Sequence, residues 1–306
     1  MTGLFAAVAT PVDDEGRLNL PALDPVVDLL VEAGVDGICV GGATGEYPHF
    51  EVADRIRIIE RAAARLPRDR ALLVGIGSSS VPAAIELGRA AVRARARALL
   101  LPMPMFFRYE QQDLQAYASH VSRALRAPCL LYDLPDFTNG LANDTVVTLL
   151  GEEEFIVGLK DSSGREAHLT ALAAARRDRD WTLLVGDDRM LFRGLQAGWN
   201  GGISGVAGFC PELLVAIVRS FDRGHVAEAA RFQALLDDLI TQIAIFPAPW
   251  GIRVGLAARG IDTGPLPLSP ARQLQVESFT RWFVPWLAQL KGSLKFPTPN
   301  AQLPIS

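Results

Sequence analysis

Short runs of apolar residues recur along the chain, and each run ends close to a glycine, proline or small polar residue. Eight such runs occupy residues 4–9, 37–40, 72–76, 98–101, 129–132, 155–159, 182–185 and 202–206. Continuous apolar runs of this length are typical of parallel strands that are buried on both faces. The pattern therefore predicts eight buried strands.

The segments between these runs have apolar residues at helical spacing. The first segment shows it most clearly, with Leu23, Val26, Val27, Leu30 and Val31. Gly34 follows them, where a glycine commonly ends a helix. Successive strand ends lie 18 to 33 residues apart, which is about one βα unit each. Eight such units, with no dinucleotide-binding or P-loop glycine motif, predict an α/β fold of the (β/α)8 TIM-barrel type.

The alternation stops after residue 222. Apolar residues then continue at helical spacing with no strand between them, at Phe232, Leu235, Leu236, Leu239, Ile240 and Ile243. We therefore predict a barrel domain over residues 1–222 and a C-terminal helical region over 223–306. Within that region, residues 247–250 are expected to break a helix, and residues 296–306 to form a surface arm.

Composition and charge exclude several classes of protein. The chain has 306 residues, of which 49% are hydrophobic and 21% charged, which is typical of a globular chain and not of a disordered one. Its net charge of −4, without a basic cluster, predicts no nucleic-acid partner. No apolar stretch is long enough to span a bilayer and no basic-flanked leader is present, so we predict a cytoplasmic protein without a membrane partner. The isolated cysteines and histidines lack metal-ligand spacing, so neither a metal nor a cofactor is predicted.

Lys160 is the first candidate for chemistry. It follows a predicted strand, and active sites of such barrels form at the carboxyl ends of the strands. Only three of the 30 basic residues are lysines, so this chain uses lysine sparingly. An apolar surrounding would lower the pKa of the amine and favour a nucleophile that can form a Schiff base with a carbonyl compound. The alternative is a structural lysine that reaches solvent or pairs with Asp161.

Two further segments end neighbouring strands. Tyr132 closes the strand before Lys160, so its phenol could move protons beside the amine, or it could simply fill the barrel interior. The sequence GGATGE at residues 41–46 follows the second strand. Its backbone N–H groups could bind a carboxylate and Thr44 could relay a proton, although a plain strand-to-helix turn explains the glycines equally well.

Together these segments resemble the dihydrodipicolinate synthase/N-acetylneuraminate lyase family of class I aldolases. The resemblance rests on Thr10-Pro11, GGATGE at 41–46, LYDLP at 131–135, GLKDSSG at 158–164, GDD at 186–188 and GGIS at 201–204, in order along most of the chain. It implies that Lys160 forms an imine with pyruvate or another 2-oxo acid and that Tyr132 is the general acid/base. It also implies that Ala43 and Thr44 hold the carboxylate, that the Ile203 carbonyl faces the site, and that the chain is a homo-oligomer, a tetramer or a dimer.

The sequence departs from both name-giving members of the family. Ala43 replaces the first threonine of the family's GTTGE, and Phe106 replaces a tyrosine that a neighbouring subunit contributes. Phe137 stands where the synthase has an arginine for the carboxylate of its second substrate. Asp188 and Ser204 could contact substrate hydroxyls, but Arg189 stands where the lyase subgroup tends to have an acid. Neither name-giving activity is therefore expected.

The function expected is a class I aldolase that makes or breaks a C–C bond of a 2-oxo acid, with an aldehyde as the other partner. The substrate could be a 2-keto-3-deoxy sugar acid. Met105, Phe106 and Phe137 could instead give an apolar distal pocket, or pack at a subunit interface. A dehydratase using the same imine is one alternative. A barrel that binds a 2-oxo acid without catalysis is another.

Overall fold

The computed structural model describes residues 1–177 and 179–294. It contains eight parallel strands that pair in chain order and close between the first and the last, which confirms the (β/α)8 barrel. The strands are β1 (Gly3–Ala7), β2 (Gly37–Val40), β3 (Ala71–Gly75), β4 (Ala98–Pro102), β5 (Cys129–Asp133), β6 (Ile156–Asp161), β7 (Thr182–Val185) and β8 (Gly201–Ser204). Each end lies within two residues of its prediction.

A helix follows each strand on the outside of the barrel. The helices are α1 (Leu23–Ala33), α2 (Val52–Arg65), α3 (Val81–Arg93), α4 (Gln111–Leu125), α5 (Asn143–Glu152), α6 (Glu166–Arg176), α7 (Leu191–Gln196) and α8 (Pro211–Asp222). The expected end of the first helix is confirmed. Gly34 adopts a φ of 81°, which glycine tolerates without strain, and its N–H donates to the Leu30 and Val31 carbonyls.

Three more helices follow the barrel: α9 (Val226–Ile243), α10 (Ala248–Ala258) and α11 (Pro270–Ser293). The chain breaks between α9 and α10 at residues 244–247, so the break predicted for 247–250 is correct only at residue 247. Pro249 does not interrupt a helix, because it lies in the first turn of α10, where no N–H is needed. The division into domains at residue 222 stays a prediction, and the arm predicted for 296–306 lies outside the described residues. Among the described helices, no single one could cross a membrane. Only α9 and α10 together meet the length and composition, and they are bent by 104°.

The apolar side chains form two layers that the strands separate. The larger layer fills the space between strands and helices. The smaller one lies inside the barrel and includes Phe5, Leu100, Leu130, Tyr132, Leu184 and Ile203. Successive side chains of a strand point to opposite faces, so one residue at a strand end faces the interior and the next faces the helices.

Candidate active site

Tyr132 and Lys160 lie side by side at the ends of β5 and β6. They are direct partners in the strand register, and the Lys160 Nζ atom lies 4.1 Å from the centroid of the Tyr132 ring. Lys160 is only 5% exposed, so it does not extend into solvent. Asp161 faces the other way: it accepts a hydrogen bond from the Ser163 N–H and lies 3.6 Å from His168 Nδ1. The amine is thus held against an aromatic face inside the barrel.

Gly186, just after β7, makes room for the lysine. A Cβ atom at this position would lie 2.8 Å from Lys160 Cε and would collide with the Ser162 hydroxyl. Neither neighbour could avoid such a contact without moving away from its present place. The glycine therefore leaves the space that the lysine side chain occupies.

A cavity of about 650 Å³ opens above these residues. Its polar lining consists of Thr44, Glu46, Tyr47, His49, Tyr132, Lys160, Ser162, Asp188 and Arg189. Its apolar side chains come from the barrel loops and from α9, α10 and their connection, and include Met105, Leu134, Phe137, Val206, Ile240, Ile243, Ala244, Phe246 and Ile252. A cavity of this size and make-up is typical of small-molecule sites.

The segment after β2 forms one short 3₁₀ turn at Ala43–Gly45. The first N–H groups of such a turn have no partner within it, which leaves the N–H groups of Ala43 and Thr44 available. Thr10 donates its hydroxyl hydrogen to the Gly45 carbonyl and fixes the turn from below. Ala43 and Thr44 both line the cavity that contains Lys160.

Asp188 lies on the same cavity, beyond the end of β7. Burial raises the pKa of its carboxyl group to about 6, although hydrogen bonds from the Ser204 hydroxyl and the Val206 N–H lower it. Ser204 itself is fully buried, and its oxygen also accepts from the Ala207 N–H. The Ser204 hydroxyl thus holds the Asp188 carboxylate in place through its hydrogen bond. Ile203 is buried inside the barrel near Tyr132, and Phe137 lines the cavity mouth.

Comparison with known proteins identifies the family. Residues 1–282 match the Dihydrodipicolinate synthetase family. The chain belongs to this family. It is 32% identical over 286 residues to the 4-hydroxy-tetrahydrodipicolinate synthase of Aromatoleum aromaticum, covering 90% of this chain and 96% of that one. It is 30% identical over 232 residues to a probable 2-dehydro-3-deoxy-D-pentonate aldolase of Escherichia coli, covering 75% of this chain and 77% of that one.

A solved structure of the same family is similar throughout. It is a prophage protein of the dihydrodipicolinic acid synthase family from E. coli, in complex with pyruvate, and it superposes with a TM-score of 0.86 at 28% identity. The alignment covers 95% of this chain and 99% of the other. Members of this family are lyases of the class I aldolase type, so this chain is an enzyme of that class.

Several residues in and around the cavity were not predicted from the sequence. Glu46 is buried at the cavity edge, with Oε2 3.5 Å from Arg253 Nη1 and Oε1 3.8 Å from His49 Nδ1. The GGATGE motif contains Glu46, but Arg253 lies 207 residues further on, and no spacing links the two. The part of the cavity wall that α9 and α10 form was also not predicted. Helical periodicity shows which face of a helix is apolar, but not which part of the protein packs against that face.

A polar cluster lies on the outer side of the same two strand ends, formed by the buried Asp133, Asp161 and His168 and the half-exposed Arg165. The two carboxylates and His168 bring ligand-type atoms within 4.8 Å of one another. The Arg165 guanidinium lies among them, 2.7 Å from Asp133 Oδ2 and 2.8 Å from His168 Nδ1. It supplies the positive charge that a metal ion would otherwise provide, so the donor set does not favour a metal.

Proposed function

We propose that this chain is a Schiff-base-forming lyase that makes or breaks a C–C bond of a 2-oxo acid, with pyruvate as one partner and an aldehyde as the other. The observation that carries the proposal is the buried Lys160 amine against the Tyr132 ring at the base of the cavity. The relatives named for aldolase activity and for a pyruvate complex support it. A 2-keto-3-deoxy sugar acid is one candidate substrate, after the E. coli aldolase.

In the cleavage direction, the neutral Lys160 amine adds to the C2 carbonyl and water leaves, which gives a protonated imine. A base removes the proton of the C4 hydroxyl, the C3–C4 bond breaks, and its electron pair moves into the imine to give an enamine. The C4 fragment leaves as an aldehyde. The enamine is protonated at C3, and water then releases pyruvate and restores the amine. The imine nitrogen is the electron sink throughout.

The remaining site residues have roles in this scheme that the family resemblance suggests. Tyr132 gives and takes protons beside the imine, and Thr44 relays them. The Ala43 and Thr44 N–H groups hold the carboxylate of the 2-oxo acid. The Ile203 carbonyl faces the reacting atoms, and Asp188 accepts a hydrogen bond from the substrate hydroxyl. Ser204 acts through Asp188, whose carboxylate it binds.

The first experiment is intact-mass spectrometry after incubation with pyruvate and sodium borohydride. We expect one reduced pyruvate adduct on the wild type and none on Lys160→Arg. Lys291→Arg is the matched control, because Lys291 is on the surface in α11 and pairs with Glu212; it should keep the adduct. An adduct on Lys160→Arg, or none on the wild type with any 2-oxo acid, would contradict the Schiff base.

We also propose that the chain acts as a homo-oligomer, a dimer or a tetramer. Phe106 and Phe107 form an exposed aromatic pair directly after Met105, which lines the cavity, and are 90% and 64% exposed. Phe106 has a φ of 77° that non-glycine residues rarely adopt. Sedimentation velocity should show a smaller assembly for the double variant Phe106→Ser/Phe107→Ser. Leu274→Ser, at a position 66% exposed on α11, should leave the assembly unchanged. The reverse pattern would place the contact elsewhere.

A further inference from the structure

The cavity has two chemically different parts. Its base carries the groups that the proposed Schiff-base chemistry uses, namely Lys160, Tyr132, Thr44 and Asp188. Its outer part is lined by apolar side chains on both sides. Met105 and Phe137 come from the loops after β4 and β5, and Ile243 and Phe246 come from α9 and its connection to α10. The reacting end of a substrate therefore meets polar groups, while the remainder meets hydrocarbon.

The polar groups of the outer part are already engaged or lie at its edge. Glu46 is buried between Arg253 and His49, and Arg253 also donates to the backbone carbonyls of Thr263, Gly264 and Pro265. His49 and Arg189 are exposed at the rim. A polyhydroxylated chain placed in this part would lose its hydrogen bonds to water without gaining enough new ones, which opposes binding.

Room for a larger group is available. A cavity of about 650 Å³ falls in the range that accommodates ligands much larger than a three-carbon acid. Phe137 presents an aromatic ring to this space, and rings pack favourably edge-to-face or offset against other rings. An apolar group placed here would be removed from water against surfaces that are already apolar.

We propose that the aldehyde half of the substrate is apolar, an aromatic or branched aliphatic aldehyde and not a polyhydroxylated one. This inference rests on the proposed function, because it concerns the second half of the same substrate. In the synthetic direction, C3 of the pyruvate enamine on Lys160 bonds to the aldehyde carbon, and the aldehyde oxygen takes up a proton. Water then hydrolyses the iminium, so pyruvate and the aldehyde give one 4-hydroxy-2-oxo acid, with no oxidant or reductant required.

The test compares benzaldehyde with D-erythrose, which has the same number of non-hydrogen atoms. Each is incubated with pyruvate and the full-length protein, the condensation product is quantified by mass spectrometry, and the borohydride-trapped pyruvate adduct is measured in parallel. We expect benzaldehyde to react at least tenfold faster. If the adduct forms but benzaldehyde gives no product, or erythrose reacts as fast, the inference is overturned and the Schiff base stands. If no adduct forms, both the proposed Schiff base and the inference about the aldehyde are wrong.

Two variants with similar exposure sharpen the test. Phe137 and Leu274 are 62% and 66% exposed, so either can be changed to serine without opening the core, but only Phe137 lines the cavity. Phe137→Ser should lower the benzaldehyde-to-erythrose rate ratio about threefold to tenfold, since one aromatic contact is lost. Leu274→Ser should leave the ratio unchanged. Equal ratios in the two variants would overturn the assignment of Phe137 to the aldehyde pocket.

Discussion

Tyr132 and Lys160 are followed in the chain by Asp133 and Asp161, and the two pairs have opposite surroundings. The first pair faces the barrel interior, where the lysine amine lies against an aromatic ring and beside the cavity. The second pair faces the helices, where Arg165 and His168 complete a polar cluster. One residue step along each strand thus separates an amine with no hydrogen-bond partner among the described residues from two carboxylates with at least two partners each.

The difference shows that neighbouring residues at the strand ends have separate roles, one in the cavity and one in holding the loops. Asp133 accepts hydrogen bonds from the Leu141 N–H and from Arg165, and Asp161 accepts from the Ser163 N–H. These bonds fix the loops that follow β5 and β6. The outer cluster therefore holds the backbone that carries Tyr132 and Lys160, and it leaves the amine free to react.

The largest effect should come from filling the space beside the amine. In Gly186→Ala, the new methyl group would push Lys160 and Ser162 from their positions. We expect the rate of borohydride-trappable imine formation with pyruvate to fall a hundredfold or more, because a displacement of about 1 Å can cost about a hundredfold in rate. Samples are reduced with borohydride at fixed times, and the fraction of protein carrying the adduct is read by intact-mass spectrometry to give this rate.

Gly292→Ala provides the control for this change. Gly292 lies in α11, where a Cβ atom would meet open space, so an alanine should leave the trapping rate unchanged. An unaltered rate in Gly186→Ala would mean that Lys160 can reach the substrate from another position. The position of Lys160 beside Tyr132 would then not explain why this pair reacts and the Asp133 and Asp161 pair does not.

Much of this arrangement could be predicted from the sequence. The apolar runs gave the eight strands because buried parallel strands have no polar face to interrupt them. The scarcity of lysine, together with the strand-end position of Lys160, pointed to the amine. The cavity wall from α9 and α10 could not be predicted, because Ile243 and Ile252 look like ordinary core residues until the helices are placed. Asp133 and Asp161 gave no local signal either, since their partners Arg165 and His168 depend on how α6 packs.

The second prediction concerns Asp133, which is fully buried. Burial raises the pKa of its carboxyl group from 3.8 to about 6, and the hydrogen bond from Leu141 and the charge of Arg165 offset only part of this rise. Because the folded state binds the proton more tightly than the unfolded state, this residue destabilises the fold increasingly as the pH rises from about 4 to about 6. Below pH 3.8 the penalty is absent.

Asp133→Asn removes this titration. Relative to the wild type, the free energy of unfolding of the variant should therefore increase by up to about 3 kcal/mol between pH 4 and pH 7. Urea unfolding followed by circular dichroism at several pH values measures the difference. Thr145→Val is the control, since it changes a buried position without a titratable group, and its difference should stay flat. A flat difference for Asp133→Asn would show that the outer cluster does not retain a proton.

The smallest expected effect concerns the free energy of unfolding, compared between a variant of the arginine in the outer cluster and a variant of a surface arginine. Arg165 and Arg65 have side chains that are 48% and 46% exposed, and each forms an ion pair with an aspartate. The partners differ: Asp133 is fully buried, whereas Asp28 is 38% exposed. Removing the cation from a buried carboxylate leaves a charge that water cannot solvate, while an exposed carboxylate is solvated again at once.

We therefore expect Arg165→Met to lower the free energy of unfolding at pH 7 by about 2 kcal/mol, a value reduced from that of a fully buried pair because Arg165 is half exposed. Arg65→Met should cost less than about 1 kcal/mol. Both are read from urea unfolding curves. Arg165→Met should also slow imine trapping, because the loops after β5 and β6 lose a shared anchor. Equal stability losses in the two variants would mean that His168 and the backbone N–H groups suffice to hold Asp133, and that Arg165 contributes only as a surface charge.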